Sequence, residues 1–243
     1  MVKSWLKIFR VVNLPTVPGD ALVGAAIALA FNDNPVNVYL LILTAITSIL
    51  LYLYGLLDND IVGADKDTAR PIPDGEISQA VARVVRSFVF VGVVGVAVKG
   101  ALPKESLYVV MAMLLSIVAY NRTKSPVLMG ACRMLNVALS VTAQMPLFTS
   151  KSDASFYVAL GVVLAVWFVY IAAVTKYSAG EERDGGKRFL VGRLVGGIVY
   201  LQLTALIVCS IVDGRCNPLL VAALAMLFVM RILRRSMPYV SAS

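Results

Sequence analysis

Histidine is absent from this 243-residue chain. Without imidazole there is no Ser-His triad, no histidine general base, and no His-ligated zinc or haem. Cysteine is nearly absent too. Cys132, Cys209 and Cys216 match no metal or redox spacing, and an odd number does not build a disulfide framework. They read as small apolar packing residues. Charge is also scarce: 15% of residues are charged against 59% hydrophobic, with a mean hydropathy of +0.83. A soluble protein is roughly 45–50% apolar and needs a polar skin, for which this chain has too few charges. Lipid must therefore solvate its outer surface. No polar stretch is long enough to hold a second domain, so residues 1–243 read as one transmembrane domain.

What is present is a series of apolar stretches, at about 12–31, 38–57, 80–99, 106–121, 127–148, 156–175, 189–212 and 217–233. Most approach the roughly 20 residues that cross a bilayer as a helix. The expected fold is an all-α, polytopic bundle of about eight transmembrane helices. The first stretch contains Pro15, Pro18 and Asp20 and no convincing cleavage site, so it does not read as a cleaved signal. Basic residues set the orientation. Of the 22 Lys and Arg, only Lys99, Lys104, Lys151 and Arg215 fall on one side of the eight-span arrangement, and the remaining 18 fall on the other. That side holds both termini and the loops after the second, fourth and sixth spans. Both termini are expected in the cytoplasm, with the plasma membrane as the expected location. The net charge of +8 then reflects topology, and no nucleic-acid partner is expected.

Two loops on the basic side carry most of the acidic residues. The first runs Asp58-Asn59-Asp60-Ile61-Val62-Gly63-Ala64-Asp65-Lys66-Asp67 and continues through Arg70-Pro71-Ile72-Pro73-Asp74-Gly75. Carboxylates this close repel unless a cation lies between them. Mg2+ suits them, because it prefers oxygen ligands and is commonly held by one or two carboxylates plus substrate phosphates. If the segment stays helical, Asp60, Ala64 and Asp67 share a face. Metal and Arg70 beside an apolar bundle point to a lipid-tailed substrate with a phosphate or diphosphate head, although a solvated loop that merely obeys topology has the same composition. Within the spans, Asp20 is expected to face a cavity or a partner; it reads as the polar wall of an acceptor pocket, or as a hydrated interfacial group. Arg133 and Asn136 share a helix face, with Arg133 either a diphosphate ligand or a snorkelling side chain. Asn121, Arg122 and Lys124 end the fourth span on the basic side, where both phosphate contact and topology explain them.

The stretch Asn59-Asp60-Ile61-Val62-Gly63-Ala64-Asp65-Lys66-Asp67, followed by Arg70-Pro71-Ile72-Pro73-Asp74-Gly75, resembles the first signature of the UbiA superfamily of membrane prenyltransferases, N-D-x-x-D-x-x-x-D and then R-P-[IL]-P-x-G. Asn13-Leu14-Pro15-Thr16-Val17 and Tyr120 to Lys124 are similar to further stretches of that family. Residues 126–137 resemble a UbiA-like branch found in some bacterial gene clusters. The likeness runs from about residue 10 to 190. It implies a helical bundle whose central cavity opens to lipid, two Mg2+ ions holding a prenyl diphosphate between two acidic loops, and alkylation of a small hydrophobic or aromatic acceptor in lipid or quinone biosynthesis. On this resemblance Asp60 and Asp67 are the catalytic carboxylates. Asn59, Asp60, Asp65, Asp67, Glu181 and Glu182 are the metal ligands. Asn59, Arg70, Lys124, Arg133, Asn136, Asp20 and Lys187 bind substrate. The chain departs from the pattern at Gly63, which stands where the family has its second aspartate, and in a shorter connection between Asp67 and Arg70. The second acidic motif offers Ser178 and Glu182 where the family has two aspartates before Gly186-Lys187, and the ninth family helix is absent. A catalytically eroded protein that binds or transports a lipid or pigment precursor is the competing function. A CDP-alcohol phosphotransferase is a weaker third, because Lys66 replaces a required glycine and the later Gly and Asp residues are missing.

Overall fold

The computed structural model describes residues 2–64, 70–145, 154–178 and 185–237, the last segment with side chains from residue 193 onward. Among the described residues the regular structure is all helical, without strands. A short helix α1 (Val2–Ile8) precedes eight long ones: α2 (Thr16–Ala30), α3 (Val38–Val62), α4 (Gln79–Val94), α5 (Lys104–Thr123), α6 (Pro126–Gln144), α7 (Ala154–Ser178), α8 (Gly185–Val212) and α9 (Asn217–Ser236). Eight candidate spans, long and apolar enough to cross a bilayer, match the eight expected stretches. The protein is an integral membrane protein.

Local chemistry explains the boundaries. Asn37 caps α3 by accepting a hydrogen bond from the Leu40 amide, and Ser78 does the same for α4 through the Val81 amide. Pro126 begins α6, where its missing N–H costs nothing. Pro15 and Pro18 interrupt the first apolar stretch. The chain passes from α1 through a single 3-10 turn at Val11–Asn13 before α2 starts at Thr16, and Pro18 is tolerated because it lies in the first turn. One conditional expectation needs correction. α3 ends at Val62 with Gly63 as its cap, so Asp60, Ala64 and Asp67 do not form a stripe on one continuing helix. Glycine propagates a helix poorly, and here it stops one.

α2 is the centre of the bundle. Thirteen of its 15 residues are buried, and it packs against α3, α6, α8 and α9. Small residues at Gly19, Ala21, Gly24, Ala25, Ala26 and Ala28 allow those helices to approach closely. A large apolar cluster joins α2 to α6–α9 around Phe156, Trp167 and Leu206, and a second joins α3–α6 around Leu51, Val93 and Leu139. A smaller third cluster of Ile8, Leu57, Ile61, Ile72, Ile77 and Ala82 pins α1 and the Pro71–Ile77 turn onto the end of α3. This last cluster brings Arg70 back to the helix that carries Asp60.

At the other end, the Asn37 amide donates to Gln144 Oε1 (2.9 Å) and Gln144 Nε2 donates to the Asn37 carbonyl (3.0 Å), tying α3 to α6. Arg215 donates to the Leu29, Asn32 and Asp33 carbonyls beyond the C-terminus of α2 while pairing with Asp213 (2.6 Å). A guanidinium there satisfies carbonyls that have no helical partner.

Candidate functional site

The last turn of α3 presents three consecutive polar residues. Successive helical positions are about 100° apart, so each meets a different neighbour. Asp58 is 6% exposed and turns toward α4 and α5. Its carboxylate accepts from Arg86 Nη1 at 2.7 Å and from Asn121 Nδ2 at 2.8 Å. Asn121 also donates to the Gly55 carbonyl. Asn59 Oδ1 accepts a hydrogen bond from Lys124 Nζ. Asp60, 5% exposed, accepts from Arg70 Nη1 at 2.8 Å. The structure therefore joins Asn59, Asp60, Arg70 and Lys124 in one constellation. It assigns Asp58, grouped with the other aspartates in the sequence, to a separate ion pair.

Lys124 follows α5 in a left-handed conformation (φ 55°) that aims its side chain back over the Tyr120 ring, 5.6 Å from the centroid. Desolvation holds its ammonium below the usual lysine range. The like charges of Arg70 and Arg10 act in the same direction, and Asp60 and Asp58 oppose them. An anion placed here would favour the charged form of Lys124.

Arg10 was visible in the sequence only as a basic residue before the first span. It adopts φ 41° and ψ 50°, a left-handed backbone that costs a non-glycine residue on the order of 1–2 kcal/mol. It lies within electrostatic reach of Tyr52 on α3, Tyr120 on α5 and Lys124. Tyr52 is also within reach of Arg133 on α6. Tyr52 is half-buried. Electrostatic coupling thus links Arg10, Tyr52, Tyr120, Lys124 and Arg133 across one region of α3, α5 and α6.

Asp20, read from sequence as a cavity wall, lies behind that region. It has no exposed surface. Its Oδ1 accepts from Trp167 Nε1 (3.0 Å), Gln202 Nε2 (2.6 Å) and Arg133 Nη2 (3.3 Å), and its Oδ2 accepts from Asn136 Nδ2 (3.0 Å). With its donors packed around it and no exposed surface, the carboxylate is out of a ligand's reach. Asn136 is 3% exposed and donates to the Val17 carbonyl as well. Trp167 and Gln202 were missed by sequence reasoning. Their signals were a lone glutamine in an apolar span and a tryptophan at mid-span, away from the interfacial belt.

Among the described residues no three His, Cys, Asp or Glu side chains gather as a metal cluster. Asp65, Asp67, Glu181 and Glu182 lie outside the described residues, and the Lys187 side chain does too. Ser178 ends α7 with its hydroxyl donated to the Thr175 carbonyl. At the basic end of α3, Asn59 Oδ1 and the Asp60 carboxylate are metal-capable oxygens, while the Asp58 carboxylate is engaged by Arg86 and Asn121.

This bundle matches solved structures over nearly its whole length. A UbiA homologue from Archaeoglobus fulgidus bound to GPP and Mg2+ aligns with a TM-score of 0.57 over 93% of this chain and 86% of its own, at 12% identity. The fold is UbiA-like. The same homologue bound to DMAPP and Mg2+ gives a TM-score of 0.56 with the same coverage and identity. A digeranylgeranylglyceryl phosphate synthase gives 0.57 over 97% of this chain and 88% of its own, at 14% identity. No protein-family model matches the chain, and no curated relative does. In the UbiA-like bundle the constellation of Asn59, Asp60, Arg70 and Lys124 sits at one end, where α3 and α5 meet.

Proposed function

We propose that this chain is a Mg2+-dependent membrane prenyltransferase that moves an isoprenyl group from a prenyl diphosphate to a small hydrophobic or aromatic acceptor. The observation that carries the proposal is the joining of hard oxygen donors (Asn59, Asp60) with two cations (Arg70, Lys124) at the end of a UbiA-like bundle. UbiA homologues with this fold bind GPP and DMAPP with Mg2+. The donor chemistry fits the ion: the described oxygens are an amide and a carboxylate, and Mg2+ is held by oxygen ligands together with substrate phosphates. Asn59, Asp60, Asp65 and Asp67 would hold one ion, and Glu181 and Glu182 another. When bound, Mg2+ neutralises charge on the diphosphate.

In transfer, the bond between the allylic carbon and the diphosphate oxygen breaks, its electron pair leaves on the diphosphate, a bond forms to the acceptor, and the acceptor loses a proton. Arg70 and Lys124 bind the diphosphate oxygens and share the charge that develops as it leaves. Asp60 orients Arg70 through their 2.8 Å contact. Tyr52 and Tyr120 line the interior, where apolar walls keep water from the allylic cation. Binding of substrate by Lys187 and Asn136 belongs to the same proposal, with Asn136 restricted to shaping the wall by its burial.

The competing reading is a protein of this fold that binds or carries a prenyl lipid without turnover. Gly63 favours it, because it ends α3 where the signature has a carboxylate. Incubation of purified protein with labelled geranyl diphosphate across a Mg2+ titration separates the two. Turnover that needs unusually high Mg2+, and needs less in Gly63→Asp, supports the enzyme. The added Cβ would lie 3.1 Å from the Asn59 carbonyl oxygen, a tight fit that requires a shift of a few tenths of an ångström. Binding that persists in EDTA, with no diphosphate release in either protein, supports the carrier.

The basic end of the bundle is proposed to face the cytoplasm of a cell whose plasma membrane holds the protein. Reporter fusions at Ser243 and after Arg183 should both read cytoplasmic, and an external signal from either would break the orientation.

A further inference from the structure

The most fully organised polar group in the bundle interior is the Asp20 carboxylate, and its arrangement with Arg133 is directional. The guanidinium meets the carboxylate along one edge. Nη2 lies 3.3 Å from Oδ1 and also donates to the Thr16 carbonyl at 3.1 Å; Nε lies 3.1 Å from Oδ2 without good hydrogen-bond alignment. The opposite nitrogen, Nη1, donates to no group among the described residues and keeps accessible surface. The Arg133 side chain keeps 13% of its surface accessible, whereas Asp20 has none. Tyr52 on α3 lies within electrostatic reach of Arg133 and of Arg10.

We propose that Asp20 is a positioning residue. It fixes one edge of the Arg133 guanidinium so that the unpaired, accessible Nη1 is held in place to bind an anionic oxygen of the ligand, while Asp20 itself touches no ligand. The identity of that anion as a prenyl diphosphate rests on the function proposed above. Three features separate positioning from simple helix stapling. Asp20 has neutral donors from Asn136, Trp167 and Gln202, which alone tie α2 to α6, α7 and α8. The ion pair is therefore not needed to join the helices. The edge-on pairing leaves the two N–H donors of Nη1 unused, and charge-assisted hydrogen bonds from Arg to phosphate oxygens are strong. Finally, a buried ion pair is weak evidence for stability but a strong geometric constraint.

Trp167 donates to Asp20 and is one of two tryptophans, so in a Trp5→Phe background its fluorescence reports on the carboxylate. Geranyl diphosphate with Mg2+ is titrated into wild type, Asp20→Asn, Arg133→Gln and the double variant, with thermal unfolding followed in parallel. The expected result is that each single variant weakens binding about tenfold, the scale of one charge-assisted hydrogen bond. The double variant should be no weaker than Arg133→Gln, because both act through one contact. Asp20→Glu, which keeps the charge but displaces the guanidinium, should also weaken binding; it serves as the test if Asp20→Asn does not fold. Unaltered affinity in Asp20→Asn or Asp20→Glu despite a lowered unfolding temperature overturns the proposal, as do fully additive effects. A wild type that binds no geranyl diphosphate defeats the prenyl reading instead. Positioning is then read from phenylglyoxal modification of Arg133, mapped by mass spectrometry. A severalfold faster reaction in Asp20→Asn or Asp20→Glu upholds it, and a rate indifferent to Asp20 overturns it.

Discussion

Asp60→Ala should lower diphosphate release from labelled geranyl diphosphate by about 10²-fold, the scale on which loss of one preorganised electrostatic group reduces kcat. The side chain is buried at the end of α3, and its carboxylate holds Arg70 at 2.8 Å. Its removal takes away an oxygen donor and lets the neighbouring guanidinium drift. Asp67→Ala should act in the same direction. Asp74→Ala is the internal control, because that residue is exposed in the turn after Pro73, and its turnover should stay close to wild type. Equal activities for Asp60→Ala and Asp74→Ala would show that the acidic loop is only solvated.

The largest effect on stability is expected at Gly24. A Cβ there would lie 2.4 Å from the Val137 carbonyl oxygen, 2.8 Å from Ser140 Cβ and 3.1 Å from the Val141 nitrogen. Two of those atoms are backbone, so only separation of α2 from α6 can relieve the clash. Gly24→Val should destabilise the bundle by about 3 kcal/mol, at the upper end of ordinary overpacking, and should pull Asn136 and Arg133 away from Asp20. Gly161→Ala is the contrast. Nothing lies within 4 Å of its Cβ position, and alanine is the better helix former by roughly 0.8–1 kcal/mol. Unfolding temperatures in detergent should fall by many degrees for the first and stay level or rise for the second. A tolerant Gly24→Val would mean that α2 is not the tightly held axis of the bundle.

Span number and placement were legible in the sequence, because apolar length and basic-residue asymmetry are direct consequences of the bilayer. The association of Asn59 and Asp60 with Lys124 and Arg70 was legible in part, since all four stood at the basic end and the motif order resembled UbiA. The partners of Asp58 were not. Arg86 lies 28 residues away on another helix, and from sequence it was indistinguishable from any cytoplasmic arginine. The end of α3 was misjudged conditionally because Gly63 can either continue a helix or stop it. Asp20 was correctly singled out as a polar group needing partners, but which side chains would supply them depended on the packing of α2 among α6, α7 and α8. A small-residue helix reveals that it packs closely, not what it packs against.

The burial of α2 has a consequence for how the protein is made. α2 leaves the ribosome before α6, α7 and α8, carrying Asp20 and many small residues. All side-chain donors to that carboxylate come from α6, α7 and α8, which are synthesised later. A charge at the centre of a lone helix is costly in a lipid environment. Until those helices arrive, α2 must wait near the membrane surface, within the insertion machinery or with its carboxylate drawn toward water. Its final seat is therefore fixed late in biogenesis, after the helices that supply its partners have been made.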